Sequence, residues 1–166
     1  MAAFKTRWMR RPGAVAFALA AIIGGTSAFA DDSVNTGYFG GVAIMGYDTV
    51  AYFTEGKAVK GSETISYDWL GTPWHFASKK HQEMFMNEPD KYAPQFGGYC
   101  APEVAMTGTA TINIDPEAFK IIDGKLYLVY DVGSANFFAD NAKELVPKAE
   151  DNWPRVQAKL EADPYH

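Results

Sequence analysis

The dipeptide Asp123-Gly124, set between the apolar runs 118–122 and 125–130, constrains this chain more than any other local feature. Both residues tolerate positive φ, which a tight turn between two twisted antiparallel strands requires, so the segment predicts a β-hairpin. A second hairpin is predicted upstream. There Ile65, Tyr67 and Trp69 alternate with Ser66 and Asp68, Gly71-Thr72 reverses the chain, and Trp74 and Phe76 share one side of residues 73–77. Ser78 then reads as the cap of a short helix ending near Pro89, whose apolar face carries His81, Met84 and Phe85 at helical spacing. Residues 134–146 and 154–162 read as two further helices, the second opening with Pro154 in its first turn. The expected class is α+β, with both hairpins in one small antiparallel sheet and helices packed on it. The sequence reading finds no internal repeat, low-complexity tract or linker, so residues 46–166 are expected to form one domain behind a Gly-rich extended arm, 31–45.

The first 30 residues have a different character. A basic stretch to Arg11 leads into an apolar Ala/Gly-rich stretch and a small-residue exit, Ala28-Phe29-Ala30, which together predict a secretory signal peptide cleaved after Ala30. Gly24, Gly25, Thr26 and Ser27 interrupt the apolar run short of the ~20 residues that span a bilayer, so no stable membrane insertion is expected after cleavage. Arg10-Arg11 leaves the export route open. The expected location is extracytoplasmic, most simply the periplasm. Four of the 15 basic residues and none of the 20 acidic ones lie in that leader, so the body carries 11 basic against 20 acidic residues, a net charge of −9. Nucleic acid is excluded as a partner on this balance, because phosphate binding needs concentrated Lys and Arg.

Chemistry has few places to reside. There is no Gly-x-Ser-x-Gly elbow, Walker loop, His-Glu-x-x-His or Cys-x-x-Cys. Cys100 is the single cysteine, which excludes an internal disulfide and any thiolate-rich zinc site within one chain. It follows Gly97-Gly98-Tyr99 and precedes Ala101-Pro102-Glu103, which read as the first turn of a helix, so a lowered thiol pKa is expected from the helix N-terminus. His81 is placed on the inner face of its helix and His75 on the strand face opposite Trp74 and Phe76. Met84 and Met106 offer thioethers, and Tyr47, Asp48 and Tyr99 offer further polar groups near the glycines.

The run Trp74-His75-Phe76-Ala77-Ser78, then His81, Phe85, Pro89, Lys91-Tyr92-Ala93-Pro94 and Phe96-Gly97-Gly98-Tyr99-Cys100, resembles the YHS domain family. Gly46-Tyr47-Asp48-Thr49-Val50-Ala51-Tyr52-Phe53, the Asp123-Gly124-Lys125-Leu126-Tyr127-Leu128 turn and Asn152-Trp153-Pro154 resemble more narrowly its exported branch, the YHS domain-containing (seleno)proteins. The resemblance implies a small metal-linked domain, and at the position of Cys100 it implies redox or soft-ligand chemistry. Ala77 and His81 stand where the metal-binding relatives carry cysteines, and Gly46-Tyr47-Asp48 replaces their upstream Cys-Gly-Met, so no thiolate cage is carried over.

Three functions are therefore open. One is a soft-metal binder, most simply for copper, ligated by Cys100 with His81 or His75 and a supporting methionine. Another is a single-cysteine thiol redox protein in which Cys100 is the catalytic nucleophile and an external thiol is the partner. The remaining one is a non-catalytic interaction module in which Cys100 belongs to the core.

Overall fold

The computed structural model of the protein describes residues 33–162, and the expected signal at 1–30 lies outside them. The described residues are α+β. Strand β1 (Ser62–Trp69) pairs antiparallel with β2 (Thr72–Phe76), and β3 (Asp115–Ile122) with β4 (Lys125–Val129). The α-helices are α1 (Ala51–Thr54), α2 (Lys79–Asn87), α3 (Pro89–Tyr92), α4 (Ala101–Thr107), α5 (Val132–Asp140) and α6 (Ala142–Ala162). No described helix is long and apolar enough to cross a membrane.

The two hairpins do not share a sheet, contrary to the sequence reading. Each is instead flanked by a 3-10 turn: Ala43–Gly46 packs on β2 and Gln95–Gly98 on β4, so these segments occupy positions that a neighbouring hairpin would otherwise take. The first of them also ends the expected arm, which is tied down rather than free. Asn35 donates from its backbone to the Gly97 carbonyl and from Nδ2 to the carbonyls of Gly98 and Ile112.

Both hairpin turns use two residues at positive φ, Asp123-Gly124 as expected and Leu70-Gly71 one residue earlier than read. The register explains the difference. Pairing Trp69 with Thr72 keeps Trp74 and Phe76 on the core side, whereas a one-residue slip would turn both outward. At the other end of the chain, α6 runs unbroken through Pro147 and Pro154, where two separate helices were expected. Both prolines face solvent, and so do Lys143 and Glu150, whose carbonyls lose their usual donors; the stripe Leu145, Ala149, Val156 and Leu160 stays buried throughout.

Most consequential is a duplication that the sequence reading missed. Ser62 and Asp115, Thr72 and Lys125, and Lys79 and Val132 begin matching elements of equal length, each 53 positions apart. Both hairpins carry an irregularity between their first and fifth residues, Ser62/Ser66 and Asp115/Phe119. Both following helices are capped by a side chain, Ser78 accepting from the amide of His81 and Asp131 from that of Ser134. Phe85 and Phe138 fill the same buried place in α2 and α5. Upstream, the 3-10 turns lie 52 positions apart, each with two left-handed residues inside, Ile44-Met45 and Phe96-Gly97. Among the described residues, 43–87 and 95–140 thus repeat one unit in element order, strand and helix length and capping, and α6 follows. Strand β4 joins the two core clusters, with Leu126 and Leu128 facing the first and Tyr127 the second, and the first cluster draws on both units.

Candidate functional site

Asp48 is completely buried at the start of the first unit, where an uncompensated carboxylate would be costly. It is compensated four times. Oδ1 accepts from the amides of Val50 (3.0 Å) and Ala51 (3.4 Å), and Oδ2 accepts from the amide of Ala77 (2.8 Å) and from Nδ1 of His81 (2.7 Å). The other His81 nitrogen, Nε2, lies 3.3 Å from Oγ1 of Thr54, whose own proton is donated to the Val50 carbonyl. Both ring nitrogens are thus occupied. The arrangement clamps α1 to the β2–α2 junction, and Asp48, singled out only as a supporting residue from sequence, is its centre.

Cys100 is the counterpart of Asp48 in the second unit, since Gly98-Tyr99-Cys100 repeats Gly46-Tyr47-Asp48 at 52 positions. The amides near its sulfur belong to Glu103 and Tyr130, the counterparts of Ala51 and Ala77. Ser134 takes the place of His81, so the second unit has no carboxylate–imidazole hydrogen bond here. Cys100 is 3% exposed, and burial pushes its thiol up from the ordinary value of 9.0; the two amides act in the opposite direction without offsetting it. The lowered pKa expected from the helix N-terminus is therefore overturned. Desolvation wins because the sulfur lies inside the first core cluster rather than at a cleft mouth.

A pH dependence follows from this burial. Tyr52 and Tyr127, like Cys100, are pushed upward chiefly by burial. The folded state then holds protons that the unfolded chain releases, so this share of stability is complete below the ordinary values of 9.0 for the thiol and 10.0 for the phenols and declines above them. Urea midpoints measured from about pH 8 to pH 11 should fall steadily, and Cys100→Ala should flatten the earliest part of the fall. A wild-type midpoint that stays constant over that range would contradict the burial argument.

The remaining candidates are dispersed. The His75 ring lies beside Gly46 and Lys60, on the face away from Trp74 and Phe76. Tyr47 lies under the Lys60 ammonium, 4.4 Å from its ring centre, and Tyr99 stacks obliquely on Trp153 at 6.2 Å. Met84 is half-buried against the first core cluster, and Met106 is exposed on α4. No group of three or more His, Cys, Asp or Glu side chains among the described residues is placed to hold a metal ion. The donor set envisaged for copper does not fit: both nitrogens of His81 are engaged, and Cys100, His81 and His75 have separate neighbours.

What does converge is aromatic. An open cleft of about 670 Å³ lies between the two hairpin turns and α6. Leu70 and Gly124, from the equivalent turns of the two units, stand on its rim, and Trp69, Trp74, Phe96 and Trp153 line it. The rings brace one another: Trp74 donates from Nε1 to the Trp69 carbonyl (3.1 Å), the Trp69 and Trp74 rings meet edge-on at 5.5 Å, and Phe96 packs on Trp153 at 5.8 Å. Lys125 and Glu150 pair on the rim at 2.9 Å, near Asp90, Lys91, Gln95 and Gln157. A larger depression of about 810 Å³ beside α5 has Tyr127 as its one ring and is otherwise bounded largely by charged and aliphatic residues. Sequence reasoning assigned each tryptophan to packing, which holds for the buried Trp74, while Trp69 and Trp153 are half-buried at the cleft. The signal that was available is the spacing of Trp69 and Trp74 across a tight turn, which puts both at one hairpin tip.

Comparison with protein-family models, curated proteins and solved structures returns no match to this chain.

Proposed function

We propose that the chain is an exported, non-catalytic interaction module whose working surface is the tryptophan cleft, and that it binds a peptide segment presenting aromatic side chains. The observation that carries this reading is that the half-buried Trp69 and Trp153 meet on one open cleft backed by the buried rings of Trp74 and Phe96, while Cys100 lies in the core and both ring nitrogens of His81 are engaged. Tryptophans make strong binding anchors because each offers a large apolar face at small conformational cost, and a polar rim around such a floor is the usual anatomy of a protein interface. The rim is close to neutral. Lys125 is paired with Glu150 and Lys91 with Glu88, so an uncharged aromatic segment meets no unpaired cation at either place. Cys100 acts in this reading as a core residue, and copper has no part in it.

The test is a titration with a blocked Tyr-Phe dipeptide, followed by tryptophan fluorescence. Saturable change is expected in the wild type, with at least a tenfold weaker response in Trp153→Ala. Equal binding by both proteins, or none by either, would remove the cleft as the working surface.

A further inference from the structure

The segment 36–41 projects from the body with an aromatic pair at its tip. Tyr38 is 74% exposed and Phe39 fully exposed, between glycines 37, 40 and 41, which all take positive φ. Large rings at a loop tip with nothing packed on them are unusual for a surface that has no partner. The base of the tip is fixed. Buried Asn35 accepts the Gly37 amide on Oδ1 (2.8 Å) while its other groups bond Gly97, Gly98 and Ile112, so the knob stands on an anchored stalk.

The stalk also lines the cleft. Ser33 and Val34 form part of its wall, and Phe39 follows Val34 by five residues, a reach of at most about 18 Å. An aromatic knob and an aromatic cleft thus lie close together on one molecule, the arrangement that a two-fold axis converts into a reciprocal exchange. Residues 33–41 carry no charge, so the acidic body presents no like-charge contact at this point. A lipid surface is the weaker match for the tip, because the basic flank that assists interfacial anchoring is missing from it. The two tips together contribute four exposed rings, about 600–1,000 Å² of aromatic surface at about 150–250 Å² each.

We infer that two copies of this chain form a homodimer in which the Tyr38-Phe39 tip of each protomer seats in the tryptophan cleft of the other. This rests on the cleft being a binding surface, and it names the occupant. The test is sedimentation equilibrium on the full chain, purified as the cell processes it. The wild type should be dimeric, and Phe39→Ser, altered only at an exposed tip, should be monomeric. A cleft variant, Trp153→Ala or, if that fails to fold, Gln157→Arg, should be monomeric too. Mixing the tip variant with the cleft variant should restore association, because a mixed pair retains one intact tip in one intact cleft while neither variant alone retains any. A monomeric wild type, a Phe39→Ser protein that dimerises like the wild type, or a mixture no more associated than its components would each overturn the exchange. A monomeric wild type that still binds the blocked Tyr-Phe dipeptide would leave the cleft reading standing and remove only the dimer; loss of both would remove both. Flotation of a monomeric wild type with zwitterionic vesicles, abolished by Phe39→Ser, would assign the tip to a lipid surface instead.

Discussion

Replacing Asp48 with alanine is expected to lower the free energy of unfolding by about 3–5 kcal/mol, the range found when one member of a buried, hydrogen-bonded pair is removed. The substitution strands three donors at once, the amides of Val50 and Ala77 and Nδ1 of His81, whereas the Ala51 amide keeps the backbone carbonyl of residue 48 at 3.2 Å. Little water reaches them, since Asp48 is fully buried and His81 is 9% exposed. For a domain whose total stability is of the order of 5–15 kcal/mol, this is a large fraction. Asp48→Asn keeps the shape and one acceptor oxygen, so its loss should be smaller, about 1–3 kcal/mol. Urea unfolding of the three proteins measures both steps. An alanine variant within about 1 kcal/mol of wild type would mean that the carboxylate does not clamp α1 to the β2–α2 junction.

Gly97→Ala should be comparably severe for a different reason. Gly97 sits at φ +60°, where a Cβ costs about 1–2 kcal/mol. That Cβ would also fall 1.6 Å from the Ser33 carbonyl oxygen, a backbone atom that must move to make room. Overpacking of this kind adds about 1–3 kcal/mol. The displaced segment is the one Asn35 pins to the Gly97 carbonyl, and both Ser33 and Gly97 line the cleft, so the variant should lose affinity for aromatic ligand as well as stability. Thermal unfolding and the dipeptide titration on one sample report the two effects. A variant that melts with the wild type would show that the arm is not held as tightly as its contacts indicate.

Much of the fold was legible wherever a single local rule decided the outcome. Asp123-Gly124 could hardly do anything but turn, Ser78 had an amide to cap, and Pro102 in the first turn of α4 marked the helix that follows Cys100. Outcomes set by partners distant in sequence were not legible. Leu70 at positive φ runs against its own preference and is imposed by the facing of Trp74 and Phe76, while Pro147 and Pro154 remain in one helix because their exposed side tolerates lost hydrogen bonds. The duplication was hidden because its two copies share element lengths and cap positions more than residues: Trp74 answers to Tyr127, and Asp48 to Cys100. The expected lowering of the Cys100 pKa failed for the same reason. The helix start beside Cys100 was readable, but the core that surrounds it is assembled from residues as far apart as Val34 and Ala135.

The central claim, that this protein works through its tryptophan cleft and not through its cysteine or histidines, is tested most directly by a 1H–15N spectrum recorded during titration with the blocked Tyr-Phe dipeptide. Indole signals of Trp69, Trp74 and Trp153 should shift together and saturate, while the amides of Cys100 and His81 hold their positions. Movement at Cys100 or His81 with the three indoles unchanged would contradict it.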